Sequence, residues 1–117
     1  MVRKVKAFLM AVCLLFAVEA TATSGNEWKQ LTETQRLHYI AGVLDAWDDL
    51  GAMVPANQQS SVVTSFAKLV RCAGGMYYTQ IDVIVQKYME NHPAKWHGGM
   101  VSLLWLALNE ACEPTSK

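Results

Sequence analysis

Charge is scarce in this 117-residue chain and evenly split: ten Lys and Arg stand against ten Asp and Glu, for a formal net charge of +0. No basic stripe or patch is present to neutralise phosphates, which excludes nucleic acid as an expected partner. Histidine is limited to His38, His92 and His97. None stands at H-x-x-x-H spacing with an acidic residue between, as a helical zinc site needs, and the cysteines form no C-x-x-C pair. His92 and His97 flank a helix start, where surface or capping roles are expected. Glycine-rich phosphate loops and nucleophile-elbow sequences are missing as well, and Ser60, Ser61, Ser65 and Ser102 lie in neither context. The sequence therefore predicts no catalytic residue, no metal ligand and no cofactor, and reads as a protein that is not an enzyme.

What is present begins at the N-terminus. Arg3, Lys4 and Lys6 precede the apolar run Ala7 to Val18, and Ala20-Thr21-Ala22 follows as an A-x-A cleavage sequence. This is the pattern of a secretory signal peptide over 1–22, and it predicts export to the periplasm. Cys13 follows Val12, where a lipoprotein signal would place a small residue, so no stable membrane anchor is expected after cleavage. Residues 23–117 then form a single domain near the lower size limit for a self-sufficient core. That domain carries seven Lys and Arg against nine Asp and Glu. It keeps two cysteines, Cys72 and Cys112, and in an oxidising compartment these are expected to pair. Closing a loop of about 41 residues gives roughly 4 kcal/mol of stabilisation in the chain-entropy picture.

Helical periodicity fills the domain. Thr32-Glu33-Thr34-Gln35 is a capping box that opens a helix. Leu37, Ile40, Ala41, Leu44 and Trp47 follow at helical spacing, with Tyr39, Val43, Ala46 and Leu50 beside them, which predicts a wide buried face. Gly42 in the middle lowers helix propensity and predicts a compensating close crossing there; Gly51 is the predicted stop. Residues 52–61, with Pro55, Asn57, Gln58 and Gln59, read as the longest loop. Val62, Val63, Phe66, Leu69 and Val70 then make a short apolar face read as helix, although the β-branched pair leaves a strand open.

Beyond Gly74-Gly75 lies a predicted helical hairpin. Ile81, Ile84, Val85, Tyr88 and Met89 share one face of a helix over 79–91, capped by Thr79 and ended by Asn91-His92-Pro93. Pro93 suits the first turn of a last helix over 94–111, which is apolar nearly all round and reads as central. These lengths, about 20 Å and 27 Å, leave the last helix overshooting by a turn, so that Cys72 runs beside the overhang and meets Cys112. Thr23 to Glu27 and Glu113 to Lys117 read as frayed tails. The predicted fold is all-α, a compact bundle of about four helices with one disulfide.

Two polar or aromatic groups stand out. Asp45, Asp48 and Asp49 lie at i, i+3 and i+4 near a helix C-terminus, where they oppose the macrodipole and repel one another. They read either as a solvated face or as an acidic patch that docks a basic partner. Trp105 is an expected core residue. Trp96 and His97, before Gly98-Gly99, read as half-buried packing or as an exposed edge for a partner or a dimer mate.

The run Tyr39-Ile40-Ala41-Gly42-Val43-Leu44-Asp45-Ala46, a cysteine, then Gln80 to Pro93, then Ala107-Leu108 and a final cysteine resembles the Rap/Tai family of type VI secretion immunity proteins. The V-x-K-Y-x-x-x-H-P segment ahead of an apolar helix and a cysteine is its most specific part. The resemblance implies a small, helical, disulfide-bonded periplasmic protein, often a homodimer, that binds and blocks a secreted peptidoglycan amidase. On that reading the expected partner contacts are Asp45, Asp48, Asp49, Met53, Asn57, Gln58, Trp96 and His97. The competing reading is a periplasmic acid-stress chaperone that opens when carboxylates protonate at about pH 2 to 3.

Overall fold

The computed structural model describes residues 22–113. Apart from Ala22, the predicted signal peptide lies outside the described residues, as does the tail from Pro114 onward. The helices are α1 (Gly25–Trp28), α2 (Glu33–Met53), α3 (Ser61–Ala73), α4 (Tyr78–Asn91) and α5 (Met100–Cys112), with single 3-10 turns at Ala56–Gln58 and Pro93–Lys95. No strand occurs among the described residues; Ser24 and Gly99 form an isolated antiparallel bridge.

The capping box starts α2 as its sequence dictates. Thr32 Oγ1 accepts from the Gln35 amide at 3.3 Å, and Gln35 Oε1 accepts from the Thr32 amide at 2.9 Å. The buried stripe is narrower than predicted: Ile40, Leu44 and Trp47 are buried, Leu37 and Ala41 only partly, and Ala46 and Leu50 are exposed. Gly42 supports no helix crossing, since it is exposed and no atom lies within 4 Å of where a Cβ would stand. Gly51 does not stop the helix either. With no positive φ at any described glycine there is no left-handed cap, and α2 runs on to Met53, where the Val54 amide closes on the Leu50 carbonyl at 3.3 Å.

Residues 61–73 are helix, not strand, with Ser60 Oγ accepting from the Val63 amide. Leu69 and Ala73 are buried, and Phe66 stacks on Trp47 with ring centroids 5.2 Å apart. In α4 the predicted face holds: Ile81, Val85, Tyr88 and Met89 are buried and Ile84 is partly so. The start of that helix is corrected. Tyr77 is the N-cap and makes no side-chain cap bond; its carbonyl accepts from the Gln80 and Ile81 amides, and Thr79 lies inside the first turn.

The last helix begins at Met100, not at residue 94. Pro93 opens a 3-10 turn instead, the chain turns again through Gly98, and Gly99 becomes the N-cap. α5 buries Met100, Leu103, Leu104, Ala107 and Leu108 on one side, leaves Val101 exposed, and keeps Trp105 half-buried against the core. With 14 residues in α4 and 13 in α5 there is no overhang. The disulfide forms for another reason: Cys72 sits in the last turn of α3, which packs against α5, and its Cα lies 6.2 Å from that of Cys112.

Thr23 to Glu27 is no tail. Ser24 and Glu27 form a second capping box, with Ser24 N–H donating to Glu27 Oε2 at 2.6 Å. The Gly25 and Asn26 amides donate to the Gly98 and Trp96 carbonyls at 3.1 and 2.9 Å, and the Met100 amide donates to the Thr23 carbonyl at 2.7 Å. Gly25 is required for this approach, since a Cβ would come within 2.8 Å of both Leu103 Cδ1 and the Trp96 carbonyl oxygen. The clamp delivers Trp28 to the core at 1 % exposure, edge-on to Tyr39 with ring centroids 5.6 Å apart.

Helix α2 thus serves two neighbours. Its first half packs on α4 through Arg36 and Asp82, and its second half on α3 through Trp47 and Phe66. No residue between Trp47 and Leu69 is buried, so the end of the α2–α3 hairpin stands clear of the core.

Candidate partner-binding surface

Asp45, Asp48 and Asp49 all lie exposed on the second half of α2. None has a basic partner: among the described residues the ion pair is Arg36 with Asp82. Asp45 and Asp48 share a cleft of about 210 Å³ with Leu44, Val70, Ala73 and Tyr78.

The acidic face leads directly into the hairpin end. Met53 is 78 % exposed, and Asn57 and Gln58 are exposed in the 3-10 turn. Gln59 holds this end together: its Nε2 donates to the Gly51 carbonyl at 3.3 Å and to the Val54 carbonyl at 3.2 Å. The Gln58 amide closes on the Pro55 carbonyl at 2.8 Å. In the sequence Gln59 is one polar residue among several, and its reach across the turn has no local signature.

Trp96 and His97 belong to a different surface. Trp96 is half-buried, with Nε1 donating to the Met89 carbonyl at 2.7 Å and Lys29 Nζ lying 3.3 Å above the ring centroid. His97 beside it is exposed. Trp96 lines a cavity of about 160 Å³ together with Trp28, Arg36 and Met89. Arg36 lies near the start of α2, about 18 Å along the axis from Asp48 at about 1.5 Å per residue. The eight residues singled out from the sequence therefore fall into two groups, one comprising the acidic face and hairpin end, the other Trp96 and His97.

One polar centre was not legible in advance. Asp82 is 4 % exposed and accepts from Arg36 Nε at 2.8 Å, Arg36 Nη2 at 3.1 Å and Gln86 Nε2 at 2.9 Å, while Arg36 Nη1 donates to the Leu31 carbonyl at 2.8 Å. The hydrogen bond to Asp82 holds the Arg36 guanidinium above its ordinary pKa against the opposing effect of partial burial. Burial likewise pushes the Tyr39 phenol up. The only sequence signal for Asp82 is a lone carboxylate inside the apolar run Ile81 to Val85. His92 takes the capping role: its Nδ1 lies 2.7 Å from the Tyr88 carbonyl oxygen, its ring stacks on Tyr88 at 4.1 Å, and Lys95 Nζ donates to the Tyr88 hydroxyl at 3.0 Å.

Cys72 and Cys112 are joined to each other, and no cluster of His, Cys, Asp and Glu suited to a metal ion occurs among the described residues. No helix among them is long and apolar enough to cross a membrane.

Comparison with curated proteins and with solved structures returned no match. A family model described as Rap1a immunity proteins matches residues 6–112. That span takes in the acidic face, the hairpin end, the V-x-K-Y-x-x-x-H-P segment and both disulfide cysteines, and the chain belongs to the Rap1a immunity protein family.

Proposed function

We propose that this protein is a periplasmic immunity protein that binds a peptidoglycan amidase delivered by type VI secretion and occludes its active-site cleft, with no chemistry of its own. Family membership supports the immunity role. The amidase target rests on the Rap/Tai resemblance, and the periplasmic location on the signal-peptide pattern over 1–22. The observation that carries occlusion is the α2–α3 hairpin end, internally hydrogen-bonded and without a buried residue. Asp45, Asp48 and Asp49 beside it steer a basic partner, and the Trp96–His97 edge is left for a dimer mate.

The test is recovery on the mature, oxidised protein from the producing bacterium's proteome and secreted fraction. One peptidoglycan hydrolase bound at about nanomolar affinity is the expected result. Many unfolded clients recovered only after acid treatment would instead support a chaperone. With the hydrolase in hand, Asp45→Asn and Asp49→Asn together slow association by about tenfold at low salt and by less at high salt. Stopped-flow association rates that are unchanged at low salt would remove the steering role.

A further inference from the structure

No charged side chain occurs between Asp49 and Lys68, and no residue between Trp47 and Leu69 is buried. Soluble surfaces ordinarily devote about a quarter to a third of their positions to charge. Exposed helix ends also gain support from oppositely charged i, i+4 pairs. The α2–α3 hairpin end has neither. What it exposes is Met53, Val62 and Leu50, at 78 %, 58 % and 36 %, interleaved with Asn57, Gln58 and hydroxyl side chains. In its lack of charge and its exposed methionine this end matches the centre of a protein interface. Gln59 already fixes the turn from within, so little conformational entropy is lost when a partner closes on it.

We infer that the charge-free end of the α2–α3 hairpin is the part of this surface stripped of water in the complex, seated in a neutral cleft of the partner amidase. The walls of that cleft offer apolar surface and backbone or amide hydrogen-bonding groups. Asp45, Asp48 and Asp49 stay at the hydrated rim, opposite the partner's basic residues. The cleft is neutral because a Lys or Arg desolvated against the hairpin end would meet no carboxylate there, and an Asp or Glu no cation; a buried charge left unpaired costs far more than a neutral contact. The inference rests on the immunity reading and divides its work: rim carboxylates set the rate of approach, and the hairpin end sets the residence time.

Surface plasmon resonance with the captured amidase separates the two contributions. Raising NaCl from about 50 to about 500 mM slows association by about tenfold and changes dissociation less than about twofold. Met53→Glu, and independently the isosteric Asn57→Asp, speed dissociation by about a hundredfold while association stays within about threefold of wild type. Both side chains are exposed, so the variants are expected to melt with the wild-type protein. An amidase that leaves both variants at the wild-type rate overturns the inference and leaves the immunity function standing, as does dissociation that accelerates strongly with salt. A wild-type protein that binds no amidase overturns the function and the inference with it.

Discussion

Asp82→Ala lowers stability by about 3–5 kcal/mol, because it strands the Arg36 guanidinium in a site built around a carboxylate. Arg36 keeps only 17 % of its side chain exposed, and after the substitution Nε and Nη2 lose both of their acceptors, while Gln86 Nε2 loses its own. For a domain of this size each kcal/mol moves the melting temperature by about 4–8 °C, so the drop is on the order of 20 °C. Asp82→Asn, which keeps the shape and one acceptor, costs less. Replacing Arg36 and Asp82 together by leucine recovers much of the loss, since a buried pair contributes little net stability beyond a packed apolar substitute. Circular dichroism melts of these variants distinguish the cases, and an Asp82→Ala melt within about 3 °C of wild type would show the pair to be solvated.

The same pair has a defined response to pH. A group whose folded pKa is raised contributes stability that is complete below its unfolded value and is lost only as pH rises through the folded one. For Arg36 that window lies in strong alkali, so the guanidinium remains charged at any pH at which the protein works.

Reduction of the Cys72–Cys112 bond is the second large effect. The bond closes a separation of 40 residues, for which constraint of the unfolded chain is worth about 4 kcal/mol at most. Its loss is unevenly felt. Apart from the bond, α3 is held to the body by buried Leu69 and Ala73 and by the Phe66–Trp47 stack, whereas α4 and α5 bury nine apolar side chains between them. Reduction therefore lowers the melting temperature by about 10–20 °C and raises amide exchange in α3 before α4 and α5. Because α3 is one arm of the α2–α3 hairpin, loosening it also frees the element proposed to enter the amidase. An unchanged melt under reducing conditions would contradict this account.

How far the chain could be read in advance follows from which forces leave periodic traces. The α4 face from Ile81 to Met89 was legible because burial repeats with the helix, and the α2 start because Thr32 and Gln35 meet across one turn. The cysteine pairing followed from count and compartment. The Ser24–Trp28 clamp was not legible, since it is made by backbone hydrogen bonds to residues about seventy positions away and by a glycine that tolerates close contact, neither of which repeats. The Pro93–Gly99 turn was misread as helix because proline at a helix start and proline opening a 3-10 turn look alike locally. On the surface, the three carboxylates spaced at i, i+3 and i+4 are all exposed on α2. Their separation from Trp96 and their continuity with Met53 and Asn57 depend on how α2 divides itself between α3 and α4, which is a tertiary property.

The measurement that tests occlusion most directly is digestion of peptidoglycan by the captured amidase, titrated with the oxidised mature protein. Activity is predicted to fall linearly and to vanish at one equivalent, with the purified complex unable to cleave even a soluble muropeptide. A stable complex that still cleaves it would contradict the account, because a cleft filled by the α2–α3 hairpin end has no room for substrate.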